Sequence, residues 1–124
     1  MEGAPALISV VDDDESVRES LPDLLRECGY AVEAFASAEQ FLASGSVDRT
    51  TCLVLDIAMP GMSGPELKEE LERRGHEMPI IFITAQSDEA LRGRLLARGA
   101  VGCLLKPFSE SALLGTLHAA LSAR

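Results

Sequence analysis

The sequence predicts an α/β fold, a doubly wound parallel sheet with helices on both faces, and three observations carry that prediction. Five short runs, "ALISVV", "AVEAFA", "CLVLD", "PIIFIT" and "VGCLL", are largely apolar or β-branched along their length, as strands buried on both faces are. A segment with helical spacing follows each of them. The connections are short, which sets consecutive units side by side and makes the crossovers helical. At 124 residues the chain has the usual size of one domain, so residues 1–124 are read as a single unit.

The first run, residues 6–11, stops in acids. After it Val17, Leu21, Leu24, Leu25 and Cys28 share one helical face and Gly29 ends the helix, while Pro22 removes a hydrogen bond and predicts a kink. The second run leads into "SAEQFLAS", where Ser37 and Gln40 form a capping-box pattern ahead of Phe41 and Leu42. The third precedes "SGPELKEELERRG", with Ser63 as cap, Pro65 near the first turn, acids early, Arg73 and Arg74 late, and Gly75 past the end. Glu69 with Arg73 and Glu70 with Arg74 form i,i+4 pairs on that helix. The fourth leads to "SDEALRGRLLARG", capped by Ser87 and stopped by Gly99. The fifth leads to "SESALLGTLHAALSAR", with Leu113, Leu114, Leu117 and Leu121 on one face. His76, in a connection, and His118, on the last helix, read as ordinary surface or half-buried histidines.

Composition narrows the function. Twenty acidic against 11 basic residues give a net charge of -9, which repels a phosphate backbone and argues against direct nucleic-acid binding. No apolar run approaches the ~20 residues of a membrane span, and the start "MEGAPALISVV" lacks the basic region of a signal peptide, so the cytoplasm is the expected location. Cys28, Cys52 and Cys103 are odd in number, far apart and among apolar neighbours. They read as buried thiols rather than disulfide or metal partners.

In a parallel α/β sheet ligands bind at the carboxyl ends of the strands. Here those ends carry Asp12 and Asp13, Asp56, Thr84 and Lys106. Like charges crowded this way raise the pKa of at least one carboxyl unless water or a cation intervenes. Three acids against one lysine leave about two excess negative charges, which a single Mg²⁺ would balance. A carboxylate beside a metal, a lysine and a hydroxyl is also what phosphoryl transfer to an aspartate requires, with Asp56 as nucleophile.

The motifs "VVDDDESVR", "LVLDIAMPGMSG", "IIFITAQ" and "CLLKPF" resemble, in order and spacing, the receiver domain of two-component response regulators, and the resemblance covers essentially the whole chain. "DIAMPGMSG" with "ITAQ" and "KPF" is most similar to the FixJ-like group that precedes LuxR-type DNA-binding domains. The resemblance implies the flavodoxin-like (βα)5 fold of chemotaxis receivers, strand order 2-1-3-4-5. It implies a phosphorylation-activated switch in which Asp56 accepts a phosphoryl group from a sensor histidine kinase or phosphotransfer protein, catalysing its own phosphorylation and dephosphorylation. Asp12, Asp13, Asp56 and the backbone carbonyl of Ala58 would hold Mg²⁺, or Mn²⁺. Thr84 would bond a phosphoryl oxygen, Lys106 would pair with the phosphate, and Pro107 suggests a cis Lys106–Pro107 bond. Asp14 is expected to cap the first helix rather than bind metal, and Pro60, Gly61 and Gly64 to shape the loop after Asp56.

One departure stands out. The family often has an aromatic residue three positions before the lysine, where this chain has Cys103, so switching is expected to rest on Thr84 and residues 85–98. Ala58 and Gln86 are expected to tune phosphoryl lifetime. Output is expected through the fourth helix, fifth strand and fifth helix, with Arg92, Arg94 and Arg98 facing an acidic partner or a second copy in a homodimer. The chain stops at "LSAR" without a helix-turn-helix, so it is expected to be free-standing or the receiver part of a transcription regulator whose DNA-binding domain lies elsewhere. The alternative is a degenerate receiver acting as a phosphorylation-independent interaction module. A phosphohydrolase is disfavoured because Asp56 does not begin D-x-D, a flavin carrier because acids follow the first strand, and a Walker nucleotide site because its motif is absent.

Overall fold

The computed structural model describes residues 6–122. Strands β1 Leu7–Val11, β2 Ala31–Phe35, β3 Cys52–Asp56, β4 Ile80–Thr84 and β5 Gly102–Leu105 alternate with helices α1 Glu15–Glu27, α2 Ala38–Ala43, α3 Gly64–Arg73, α4 Glu89–Ala97 and α5 Glu110–Ser122. The strands form one parallel sheet in the order β2-β1-β3-β4-β5, as the family resemblance implies. Val11 pairs with Leu55, and Thr84 with Leu105. One further step along each ladder sets Asp12 level with Asp56, and Lys106 just past Thr84.

Alternation along each inner strand divides the core in two. Leu53, Leu55 and Phe82 meet Phe41 of α2, Leu67 and Leu71 of α3 and Leu95 of α4 on one face. Cys52, Val54, Ile81 and Ile83 meet Leu21 and Leu25 of α1 and Leu113 and Leu117 of α5 on the other. Each fully buried Leu, Ile or Phe contributes about 1.5–3 kcal/mol. The sheet edge that carries the charged residues is therefore mounted on a rigid, two-sided core.

The helix ends follow the expected chemistry, with local corrections. Ser37 accepts from the Gln40 amide at 3.1 Å, while the Gln40 side chain reaches back to the Ala36 amide rather than to that of Ser37. Ser63 forms a full reciprocal capping box with Glu66. Helix α4 is capped by Asp88, not Ser87: the Asp88 carboxylate accepts from the Leu91 amide at 3.0 Å, a stronger acceptor one residue closer to the positive helix end. Glu70 pairs with Arg74 at 2.6 Å as expected, but also with Arg73, and Glu69 turns to Arg98, the C-cap of α4, at 3.4 Å. Helix α1 runs through Pro22, which lies buried within it.

Burial on both strand faces holds for β1, β3 and β4, whereas β2 and β5, each with a strand on one side only, are half exposed. Cys28 is exposed, against expectation, because it is the C-cap of α1, where the chain leaves the helical face that buries Leu21 and Leu25. Cys52 and Cys103 are buried. A 3-10 turn, Val47–Arg49, sits between α2 and β3, too short to leave a periodic signal. His76 is half-buried, 3.5 Å from Asp48, and His118 is exposed. Among the described residues no helix is long and apolar enough to cross a membrane.

Candidate functional site

Three of the five strands deliver carboxylate or ammonium groups to one point. Asp12, fully buried just past β1, accepts the Lys106 ammonium at 2.8 Å on Oδ2 and the Asp14 amide at 2.9 Å on Oδ1. Its backbone carbonyl accepts Nη1 of Arg18, one turn into α1, at 3.0 Å. Asp56, 6% exposed at the end of β3, lies 3.7 Å from the same ammonium. Lys106 is anchored through its own amide to the Thr84 carbonyl at 2.7 Å. Its peptide bond to Pro107 is cis.

Asp12, Asp13 and Asp56 each bring a carboxylate oxygen to within 4.8 Å of the others, with Asp13 exposed and the other two buried. Such a cluster of hard oxygen donors fits a divalent cation that prefers carboxylates and retained water. Asp14 stands outside it and caps α1, accepting the Ser16 amide at 2.9 Å. The electrostatics agree. Burial first, then the charges of Asp12 and Asp13 and a hydrogen bond with Asp12, push the Asp56 carboxyl up to about 7 against the pull of Lys106. Burial opposes the Lys106 ammonium, but Asp12 and Asp56 outweigh it and hold its pKa above the ordinary lysine value.

The family model of the response regulator receiver domain matches residues 8–118. The chain belongs to that family. Over 115 residues the receiver is 45% identical to nodulation protein W of Bradyrhizobium diazoefficiens, covering 93% of this chain and 51% of that protein. It is 40% identical over 121 residues to the response regulator protein TodT of Pseudomonas putida, covering 98% and 53%. It superposes on the response regulator StyR with a TM-score of 0.88 at 46% identity, covering 97% of this chain and 61% of that one. The chain spans about half the length of the curated relatives it matches.

The remaining sequence-predicted residues line the flank of the receiver's site. The Thr84 hydroxyl accepts the Gln86 amide at 3.1 Å, a local turn that turns it onto its own loop. Thr84, Gln86, Ala58 and Cys103 border a cavity of about 110 Å³ with Ile57, Leu91 and Leu105. Burial pushes the Cys103 thiol above its usual value, and the Cys103 carbonyl accepts Arg92 Nε at 3.4 Å. Arg92 and Arg98 thus fold onto the domain itself, while Arg94 is exposed.

Gly64 is forced by packing. A Cβ there would lie 2.3 Å from the Asp56 carbonyl oxygen, and its amide already bonds the Ile57 carbonyl at 2.9 Å, so the loop after Asp56 closes tightly under the carboxylate. Three contributors escaped sequence reasoning: Arg18, Glu66 and Glu39, whose Oε2 accepts the Met62 amide at 3.1 Å. Only Glu66 left a signal, the S-x-x-E spacing from Ser63.

Proposed function

We propose that this receiver is a phosphorylation-activated switch with Asp56 as phosphoacceptor. The observation that carries the reading is the Lys106 ammonium held between Asp12 and Asp56 beside a three-carboxylate cluster. The Asp56 carboxylate attacks phosphorus, forming an O–P bond as the P–N bond of a donor phosphohistidine breaks and the histidine leaves. Lys106 balances charge on the phosphoryl oxygens as a point charge, and Thr84 bonds one of them once it leaves its turn with Gln86. Asp12, Asp13, Asp56 and the Ala58 carbonyl are the residues that would hold Mg²⁺ or Mn²⁺, which when bound neutralises the equatorial oxygens of the transferring group. The donor is a sensor histidine kinase or phosphotransfer protein, and the domain assists its own phosphorylation and hydrolysis.

Similarity to relatives about twice this length, among them a protein called transcriptional regulatory protein FixJ, supports an output domain outside these residues. The output face is α4–β5–α5, where Leu105 is 48% exposed. Homodimerisation through that face predicts a doubled molar mass by light scattering when a phosphoryl mimic is added.

The test is intact-protein mass after incubation with a small phosphoryl donor and Mg²⁺. A labile adduct that disappears in Asp56→Asn and without metal establishes the switch. No adduct with either a small donor or a kinase shifts the reading to a phosphorylation-independent interaction module.

A further inference from the structure

We propose that Glu39 is a positioning residue of the metal site, holding from α2 the loop that follows Asp56. This rests on the reading of Ala58 as a metal ligand. Among the described residues, the bond from the Met62 amide to Glu39 Oε2, 3.1 Å long, is the one hydrogen bond made by residues 58–62. The loop's ends are pinned elsewhere: the Ile57 amide to the Ile83 carbonyl at 3.0 Å, the Gly64 amide to the Ile57 carbonyl at 2.9 Å, and the Ser63 amide to Glu66 at 2.9 Å. Between those pins Glu39 is the restraint.

Two further features fit that role. Gly61 has φ +75, and a Cβ there would meet Glu39 Oε2 at 2.9 Å, so the backbone runs directly beneath the carboxylate. The base of Glu39 is itself fixed, since Ser37 and Gln40 close the start of α2 and Phe41 is fully buried. A carboxylate accepting from a backbone amide is a charge-assisted bond. Holding the loop in advance spares the metal the entropy of ordering the Ala58 carbonyl.

The experiment is calorimetric titration with Mg²⁺ of the wild type, Glu39→Ala and Glu39→Gln, with amide hydrogen exchange at Met62 and a urea melt of each. Groups that orient metal ligands from outside cost 10–100-fold when lost, and Glu39 acts through an intervening loop, so Glu39→Ala should weaken Mg²⁺ binding about three- to tenfold. Met62 exchange should accelerate while the unfolding midpoint stays put. Glu39→Gln keeps an acceptor and should restore both affinity and protection. Unchanged affinity in Glu39→Ala overturns the proposal, as does a Gln variant that protects Met62 yet binds as weakly as Ala. A wild type that binds no Mg²⁺ while Met62 is protected strikes the metal-site reading itself and removes the positioning role with it.

Discussion

Replacing Asp56 with asparagine should stabilise the metal-free domain by an amount that grows as pH rises from about 4 and levels off above about 7. Burial, and then the charges of Asp12 and Asp13, push the folded Asp56 carboxyl up to about 7 against an ordinary 3.8. Below the lower value both states hold the proton. Between the two the unfolded chain releases it and the folded chain keeps it, so stability falls as pH rises toward 7 and is level above. At about 1.4 kcal/mol for each pKa unit the ceiling is about 4 kcal/mol. The site opens to water beside exposed Asp13, and screening reduces this to about 2 kcal/mol. With no tryptophan and a single tyrosine in the chain, urea unfolding is best followed by far-ultraviolet circular dichroism. In EDTA the Asn variant should exceed the wild type by about 2 kcal/mol near pH 8, and the gap should shrink through the acid range and close only near and below about pH 4. If Asp56 is a metal ligand as proposed, Mg²⁺ should then stabilise the wild type more than the variant. Wild type and variant that run parallel from about pH 4.5 to 8 would refute the claim that Asp56 carries the strain.

Three further outcomes follow from the same geometry. Gly64→Ala drives a Cβ to 2.3 Å from the Asp56 carbonyl oxygen, a backbone atom that cannot swing away; it should cost about 3 kcal/mol in a urea melt and slow phosphorylation, and a silent variant would show the loop to be loose. Gln86→Ala removes an exposed amide from the cavity shared with Thr84 and Ala58 and, on the proposed role of Gln86 in phosphoryl lifetime, should change the dephosphorylation rate by at least about twofold, with an unchanged decay curve counting against it. Thr84→Ala should abolish most of the phosphorylation-induced change in hydrogen exchange over residues 85–98, while Cys103→Tyr leaves it in place; the reverse pattern would put the switch at position 103 rather than in the threonine turn.

The fold was legible because continuous apolar runs have one economical packing, and because the chemistry sits where those runs end. Lys106 and Asp12 are 94 positions apart, yet their contact could be anticipated, since parallel topology brings every strand's carboxyl end to the same edge. Contacts between a side chain and a backbone amide or carbonyl of another element or loop were not legible. Nothing in the spacing of Glu39 and Met62, or in Arg18 at one turn into α1, distinguishes a loop restraint from a solvated charge. The choice between Ser87 and Asp88 as cap was equally open, as both residue types cap well and only the backbone decides which one faces the free amides. Cys28 was misplaced for a related reason, because periodicity assigns a face but does not say where the helix lets go of it.

The site also explains why local rules fail where they do. A core built for stability alone would not set Asp56 against Asp12 at the end of a fully buried strand, since that arrangement penalises the folded state until a counter-charge arrives. Lys106 offsets part of the penalty and cannot offset all of it, being one ammonium among three carboxylates. The residual repulsion is the free energy by which cation binding at this edge is favoured over water. Because the Thr84 hydroxyl is tied to the Gln86 amide, the proposed recruitment of that hydroxyl to a phosphorylated Asp56 would free the start of the loop that leads into α4. On the proposed switch the unfavourable charge at the strand ends and the threonine tied to its own loop would be two halves of one device, which the Asp56→Asn and Thr84→Ala variants separate.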